Sequence, residues 1–384
     1  MNWSGILSHR SPDVRRTMSK VLVIDAEYEA IEKALDRVFE AFPLDVAGKR
    51  VLLKPNILGP FTPESHVNTS PILVRALVDR LKSAGAEVTV GDNPGARGYG
   101  AVEKSADVSG IKEAAMGTFA NISMPVQTVE LGRHGKAANV SSAVLDADIL
   151  ISVPKFKTHV LTVISGAIKN SYGFIVGGEK TRLHRDFSDA RIFSQVVVEV
   201  FRLRLPDLVI MDGIVGMQGN GPSAKTLYPV GKILASDNGV SLDSVMAAMM
   251  GLKPEGVNML AYAAFEGLGE IDLSKIEIEG DASPLKKFKK PISSVQRLVP
   301  RKVFEMFYPD LDRARFRVDP ELCTACGSCR DLCPGEAITI EDRLPRYDYS
   351  RCVACYCCME LCSERAIEVQ DSLRVRIYRK IGLL

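Results

Sequence analysis

The chain is 384 residues long, 46% hydrophobic and 25% charged, with a formal net charge of +2. That length predicts two or three domains with room for an ordinary core, and the near-balanced charge gives no global case for nucleic acid or a membrane surface. The N-terminal MNWSGILSHRSPDVRR lacks the apolar stretch of a signal peptide and no run of about 18 apolar residues follows, so the expectation is a cytoplasmic protein with no membrane span.

The first 315 residues alternate strand and helix patterns. KVLVID (20–25) reads as a strand and EAIEKALDRVFEAF (29–42) as an amphipathic helix. RVLLKPNI (50–57) is a second strand. SPILVRALVDRLKSAGA (70–86) is a helix with Ser70 as N-cap, Pro71 at its first position and a glycine stop. EVTVGDNPG (87–95), ADILISVPKFKTH (147–159), DLVIMDGIVGMQGNG (207–221) and KILASDN (232–238) are apolar strands, each breaking into a polar or glycine-rich loop. TVISGAIKNSYG reads as helix-like. The pattern predicts an α/β fold with a largely parallel sheet and flanking helices.

Ligands bind such sheets at the carboxyl ends of their strands. The predicted strand-end loops supply Lys54 and Asn56, then Asp92 and Asn93, then Lys155, Lys157 and His159. The helix-like run adds Lys169 and Asn170, and a later strand adds Asp212, Asn220 and Gly221. Gathered in one cleft, the lysines and amides would hold a small anionic substrate or cofactor. Asp92, His159 and Asp212 would be its catalytic proton carriers. Taken singly, each residue has a blander explanation: a lysine as a solvated charge, Asp212 before Gly213 as a turn, His159 as a packed imidazole. The glycines of MQGNG and VGGEK match neither a dinucleotide fingerprint nor a Walker A loop.

VLLKPNIL, TSPILVRALVDRLKSAGAEVTVGDNPG, ADILISVPKFKTH, GAIKNSYG and MDGIVGMQGNGP, in that order, resemble the domain-of-unknown-function 362 family over roughly residues 20–270. The resemblance implies the domain plan, including a two-cluster ferredoxin module, and says little about chemistry. Its motif residues are Lys54, Asn56, Asp92, Lys155, Lys157, His159, Lys169, Asn170, Asp212, Asn220 and Gly221.

All nine cysteines lie between Cys323 and Cys362, a clustering that points to metal in a reducing compartment rather than to disulfides. Cys323, Cys326, Cys329 and Cys333 are spaced C-x2-C-x2-C-x3-C, and Cys352, Cys355, Cys358 and Cys362 repeat that spacing 29 residues later. In such runs three thiolates hold one cluster and the fourth reaches the other. One [4Fe–4S] cluster is therefore assigned to Cys323, Cys326, Cys329 and Cys362, the second to Cys352, Cys355, Cys358 and Cys333. Paired zinc sites are the alternative. Cys357 is left over, as a packed thiol or as a spare ligand or oxygen-sensitive group. The region resembles bacterial two-cluster ferredoxins over roughly residues 315–372, with Pro334 after Cys333 but Ser363 where a second proline would stand.

The expected plan is an α/β domain over 1–283, a basic linker over 284–314, a small α+β ferredoxin domain over 315–372 and a basic tail over 373–384. The ferredoxin part carries ten acids against five basic residues between Asp319 and Gln370, and the segment PLKKFKKPISSVQRLVPRK before it carries seven basic residues and no acid. That asymmetry suits a solvated linker, or docking to the ferredoxin domain or to a redox protein partner. The functional expectation is an iron–sulfur oxidoreductase passing single electrons to or from the front cleft. The alternative is a non-catalytic electron-transfer or assembly subunit.

Overall fold

The computed structural model describes residues 18–95, 101–132, 135–295, 315–371 and 380. The tail, apart from Lys380, and the linker beyond 295 lie outside the described residues, as do the first 17 positions.

The strands in chain order are β1 (Ser19–Asp25), β2 (Arg50–Pro55), β3 (Glu87–Val90), β4 (Val126–Leu131), β5 (Lys136–Ser141), β6 (Ile149–Val153), β7 (Lys155–His159), β8 (Val163–Ser165), β9 (Leu208–Met217), β10 (Leu227–Ser236) and β11 (Ile276–Gly280). The main sheet has the order β11-β1-β10-β9-β6-β2-β3, with β7 continuing along β9 and β8 paired to β7. β3, β2, β6, β9 and β7 are mutually parallel. The segment read as KILASDN starts earlier, at Leu227, and runs antiparallel to both β9 and β1. The sheet remains largely parallel.

Its side chains alternate between two cores, as a sheet covered on both faces requires. Leu22, Ile24, Val51, Leu53, Ile149, Ile151, Leu208 and Ile210 face the helices Ile31–Ala41 and Pro71–Ser83. Val21, Val23, Leu52, Leu150, Val209 and Met211 face the helices Ala190–Leu203, Gly239–Met249 and Asn258–Phe265. The helix Pro71–Ser83 begins as expected, with the Ser70 hydroxyl accepting from the Ile72 amide and Pro71 supplying no amide to satisfy. It ends before Gly85, whose φ of 82° suits the left-handed turn. Each of its buried Leu73, Val74, Leu77, Val78 and Leu81 contributes about 1.5–3 kcal/mol of transfer free energy.

Two elements depart from the sequence reading. The strand expected over 147–159 is two strands separated at Pro154, which has no amide to continue a ladder. The helix-like TVISGAIKNSYG is strand β8 followed by a four-residue helix, Ala167–Asn170. Asp243 fixes that helix by accepting from the Ala167 and Ile168 amides at 2.7 and 3.0 Å.

The C-terminal part holds β12 (Phe316–Val318), β13 (Ile338–Glu341), β14 (Leu344–Tyr347) and β15 (Ile367–Val369), paired antiparallel as β12 with β15 and β13 with β14. Its backbone carries the 29-residue duplication seen in the cysteines. The helices Ser328–Asp331 and Cys357–Glu360 match in that register. So do the positive-φ residues Ala325 and Ala354, Gly327 and Tyr356, and Glu336 and Arg365. Phe316, Ile338, Met359 and Ile367 join the core on the Ala190–Leu203 face of the sheet.

Candidate functional site

The site starts from lysines that are not solvated. Lys54, next to last in β2, has its ammonium fully buried, donating to Asp92 Oδ1 at 2.7 Å, to Asn170 Oδ1 at 3.2 Å and to the Pro55 carbonyl at 3.2 Å. Those three acceptors use all three of its donors. Asp92 follows β3 and also accepts from the Ile57 and Asn93 amides. Gly173 permits this crowding: a Cβ there would lie 2.6 Å from Lys54 Nζ and would strike Asp92.

Beside it, Lys155 and Asp212 are paired in register across β7 and β9 and joined at 2.8 Å. Asp212 sits inside β9, so it forms no turn. It also accepts from the Ser70 amide at 2.8 Å and the Tyr28 hydroxyl at 3.0 Å, and Lys155 donates to the same hydroxyl at 3.1 Å. Burial lowers the pKa of both lysines, and the facing carboxylates oppose the shift. Lys157 donates to Asn56 Oδ1 at 2.6 Å and to the Val67 carbonyl at 2.9 Å. With no carboxylate contact among the described residues, it is lowered to about 7, chiefly by burial.

Past these pairs the strand ends open on a cavity of about 80 Å³. Asn56, Asp92, Lys169 and Asn170 line it, together with Asn93, Tyr172, Lys180 and His184. The ammonium of Lys169 lies 4.5 Å from the centre of the Tyr172 ring and 5.7 Å from that of Phe193, with no hydrogen-bond partner among the described residues. Lys180 donates to the Asn93 carbonyl and is lowered to about 7, mainly by burial. Across the whole centre Lys54, Lys155, Lys157, Lys169 and Lys180 face Asp92, Asp212 and Glu360, five potential cations against three potential anions.

The remaining wall comes from the cysteine region. Cys357, Glu360 and Leu361 line the cavity, and Leu361 packs against Gly95. Glu360 Oε1 lies 3.2 Å from His159 Nε2, and His159 Nδ1 accepts from the Leu161 and Thr162 amides. Burial holds His159 well below the usual imidazole range, so it is a neutral, structured ring. Ser223 donates to the Met359 carbonyl at 3.1 Å, and Lys225 reaches Glu368 at 3.4 Å. Cys357 is buried, and a hydrogen bond with Cys355, then burial, push its thiol well above the ordinary range.

Asn220 and Gly221 lie elsewhere. Asn220 accepts from the Ile292 amide and borders a second cavity of about 330 Å³ with Lys225, Lys289 and Glu368. Gly221 abuts the Thr158 carbonyl and accepts from the Val160 amide. The described start of the basic segment packs on the α/β domain: Phe288 and Ser293 are buried, and Ser293 donates to the His159 carbonyl at 3.3 Å. Tyr28, Lys180, His184 and Glu360 were not foreseen. Tyr28 precedes a helix with no motif around it, and Glu360 becomes part of the centre only through tertiary packing.

Cys323, Cys326, Cys329 and Cys362 line one small cavity, drawing the fourth thiol from the second half of the duplication. The amides of Ala337 and Ala366, 29 residues apart, donate to the sulfurs of Cys333 and Cys362, both at 3.3 Å. All nine thiols are free of disulfides. A ring of four thiols around a cavity, with amide donors on the sulfurs, fits an iron–sulfur cluster.

Fold and site define an α/β protein with a buried, lysine-rich centre closed by an iron–sulfur module. The chain belongs to the family described as Domain of unknown function (DUF362), whose model matches residues 51–248, and a 4Fe-4S binding domain matches residues 316–339. A thylakoid-associated protein of Synechocystis sp. is 31% identical over 229 residues, 58% of this chain and 68% of that protein. Among solved structures, the lactate racemase apoprotein from Thermoanaerobacterium thermosaccharolyticum is similar with a TM-score of 0.36 at 13% identity, over 51% of each chain. A Thermotoga maritima protein is similar with a TM-score of 0.39 at 14% identity, over 60% of each. The chain thus spans about half to three fifths of those two structures. Among the described residues, no helix is long and apolar enough to cross a membrane.

Proposed function

We propose that this is an iron–sulfur oxidoreductase in which two [4Fe–4S] clusters serve a small anion held in the cavity at the strand ends. Cys323, Cys326, Cys329 and Cys362 would hold one cluster, and Cys352, Cys355, Cys358 and Cys333 the other. When bound, such clusters supply single electrons. The observation that carries the reading is the shared wall: Cys357, between the ligands Cys355 and Cys358, lines the same cavity as Lys169 and Lys180.

The chain's own groups have separable tasks. Lys169 and Lys180 attract the anion. The Lys54–Asp92 and Lys155–Asp212 pairs hold the strand ends in place and keep protons at defined atoms, Nζ of each lysine and the Tyr28 hydroxyl. Ser223, bonded to the Met359 carbonyl, and Leu361, packed on Gly95, fasten the cysteine segment over the cavity, with Glu360 set beside His159. Asp92, His159 and Asp212 are proposed as positioning and proton-holding residues. Free thiols suit a reducing compartment, which supports a cytoplasmic location. The thylakoid-associated description of the Synechocystis relative adds membrane association as a reading that fractionation would test.

Native mass spectrometry of the anaerobically purified chain is the test. The expected result is mass for two clusters plus a small occupant that is lost when Lys169 or Lys180 is replaced. Clusters alone, with a protein partner recovered instead, would favour the non-catalytic carrier, docked through the exposed lysines at 286, 287 and 289.

A further inference from the structure

The cavity is small, and its lining is polar. At roughly 10–15 Å³ of such space per water, its volume of about 80 Å³ holds about five to eight atoms of that size. A flavin or nucleotide needs several times more, since pockets for ligands of that size run to about 300–1,000 Å³. The polar lining is also incomplete. Lys169 Nζ has three donors and no acceptor among the described residues. Asn93 Oδ1 is buried without a donor, and its orientation is fixed because Nδ2 donates to the Gly173 carbonyl at 2.9 Å. His184 Nδ1 is likewise buried without a partner, its ring stacked on Phe193 at 4.2 Å. Buried polar atoms left unpaired are costly, and Asn93 Oδ1, His184 Nδ1 and Glu360 Oε1 all line this one cavity, which marks where a ligand completes the bonding. The larger cavity beside Asn220 has no such orphaned atom among the described residues.

We infer that the cavity binds a small hydroxy-carboxylate, whose carboxylate accepts from Lys169 and Lys180 and whose hydroxyl donates to Asn93 Oδ1, with His184 Nδ1 at its edge. The inference rests on the proposed function only in taking this cavity as the working site. It narrows the substrate class to small anions that carry at least one hydrogen-bond donor and excludes nucleotide-sized cofactors from this position.

Calorimetry on the full chain, anaerobic and with its clusters loaded, tests it with glycolate, acetate and flavin mononucleotide. Glycolate is expected to bind, with acetate about tenfold weaker because Asn93 Oδ1 then stays unpaired. Flavin mononucleotide is expected not to compete. Lys169→Met should weaken glycolate about tenfold or more, and Asn93→Leu should erase the preference over acetate. The contrast among the three ligands uses the unaltered protein and so does not depend on a variant folding. No glycolate binding, equal binding of acetate, or displacement by the flavin would overturn the inference. Glycolate binding with cluster spectra and potentials unchanged would uphold it and count against the redox reading alone.

Discussion

Lys155 and Asp212 show how charge is tolerated at this depth. Burying either alone is costly, and the pair persists because Tyr28 and the Ser70 amide complete its hydrogen bonds. Asp212→Asn should therefore cost about 3–5 kcal/mol, measured by urea unfolding under anaerobic conditions, and replacing both partners by apolar residues should recover most of it. Lys157 and Lys180 give a pH signature, since both are held near 7 in the fold against 10.5 when unfolded. For these groups the folded value is the depressed one. Stability is thus fully present above the unfolded value and lost as pH falls through about 7, where the fold must bury the charged forms. The empty protein should become more stable between about pH 7 and 10, and glycolate should bind more tightly as pH falls from about 8 to 6. Melting temperature and calorimetry across that range check both trends, and Lys180→Met should flatten each.

At the scale of elements, the sheet positions the centre because the chain leaves β2 for β3 on one side and later returns to β6 on the other. The carboxyl ends of β2, β3 and β6 then converge, with Asp212 reaching them from within β9. Gly173 is the tight point. Gly173→Ala would push a Cβ into the Lys54–Asp92 pair, so glycolate affinity should fall about tenfold or more while cluster absorbance is retained. The helix Pro71–Ser83 ties its cap to the same centre, and Ser70→Ala should cost about 1 kcal/mol in unfolding measurements. Much of this was legible in sequence, because strand runs, the Ser70-Pro71 start and polar strand ends are local patterns. Local patterns did not reveal that the lysines are buried, or that Pro154 divides a strand. Nor could they show that Asn220 faces a different cavity. Those outcomes depend on which loops meet after folding, and Glu360 enters the centre from a segment nearly 200 residues beyond Lys169.

For the whole molecule, the duplicated cysteine region is more than an appended carrier, since its segment from Cys357 to Leu361 completes the cavity wall. The duplication was readable from spacing alone, whereas the placement of the leftover thiol Cys357 at the seam was not. Crossed ligation makes a distinct prediction. Cys333→Ala should leave about four of eight irons and expose Cys352, Cys355 and Cys358, rather than its sequence neighbours, to anaerobic alkylation. Mass mapping of the labelled thiols reads the result.

The most direct test of the central claim, that one cluster serves the occupant of the lysine-lined cavity, is an anaerobic redox titration of the full chain followed by electron paramagnetic resonance, with and without saturating glycolate. The midpoint of the cluster lost in Cys352→Ala should move downward when the anion binds, while the other stays fixed. Equal movement of both clusters, or none with the cavity saturated, would contradict it.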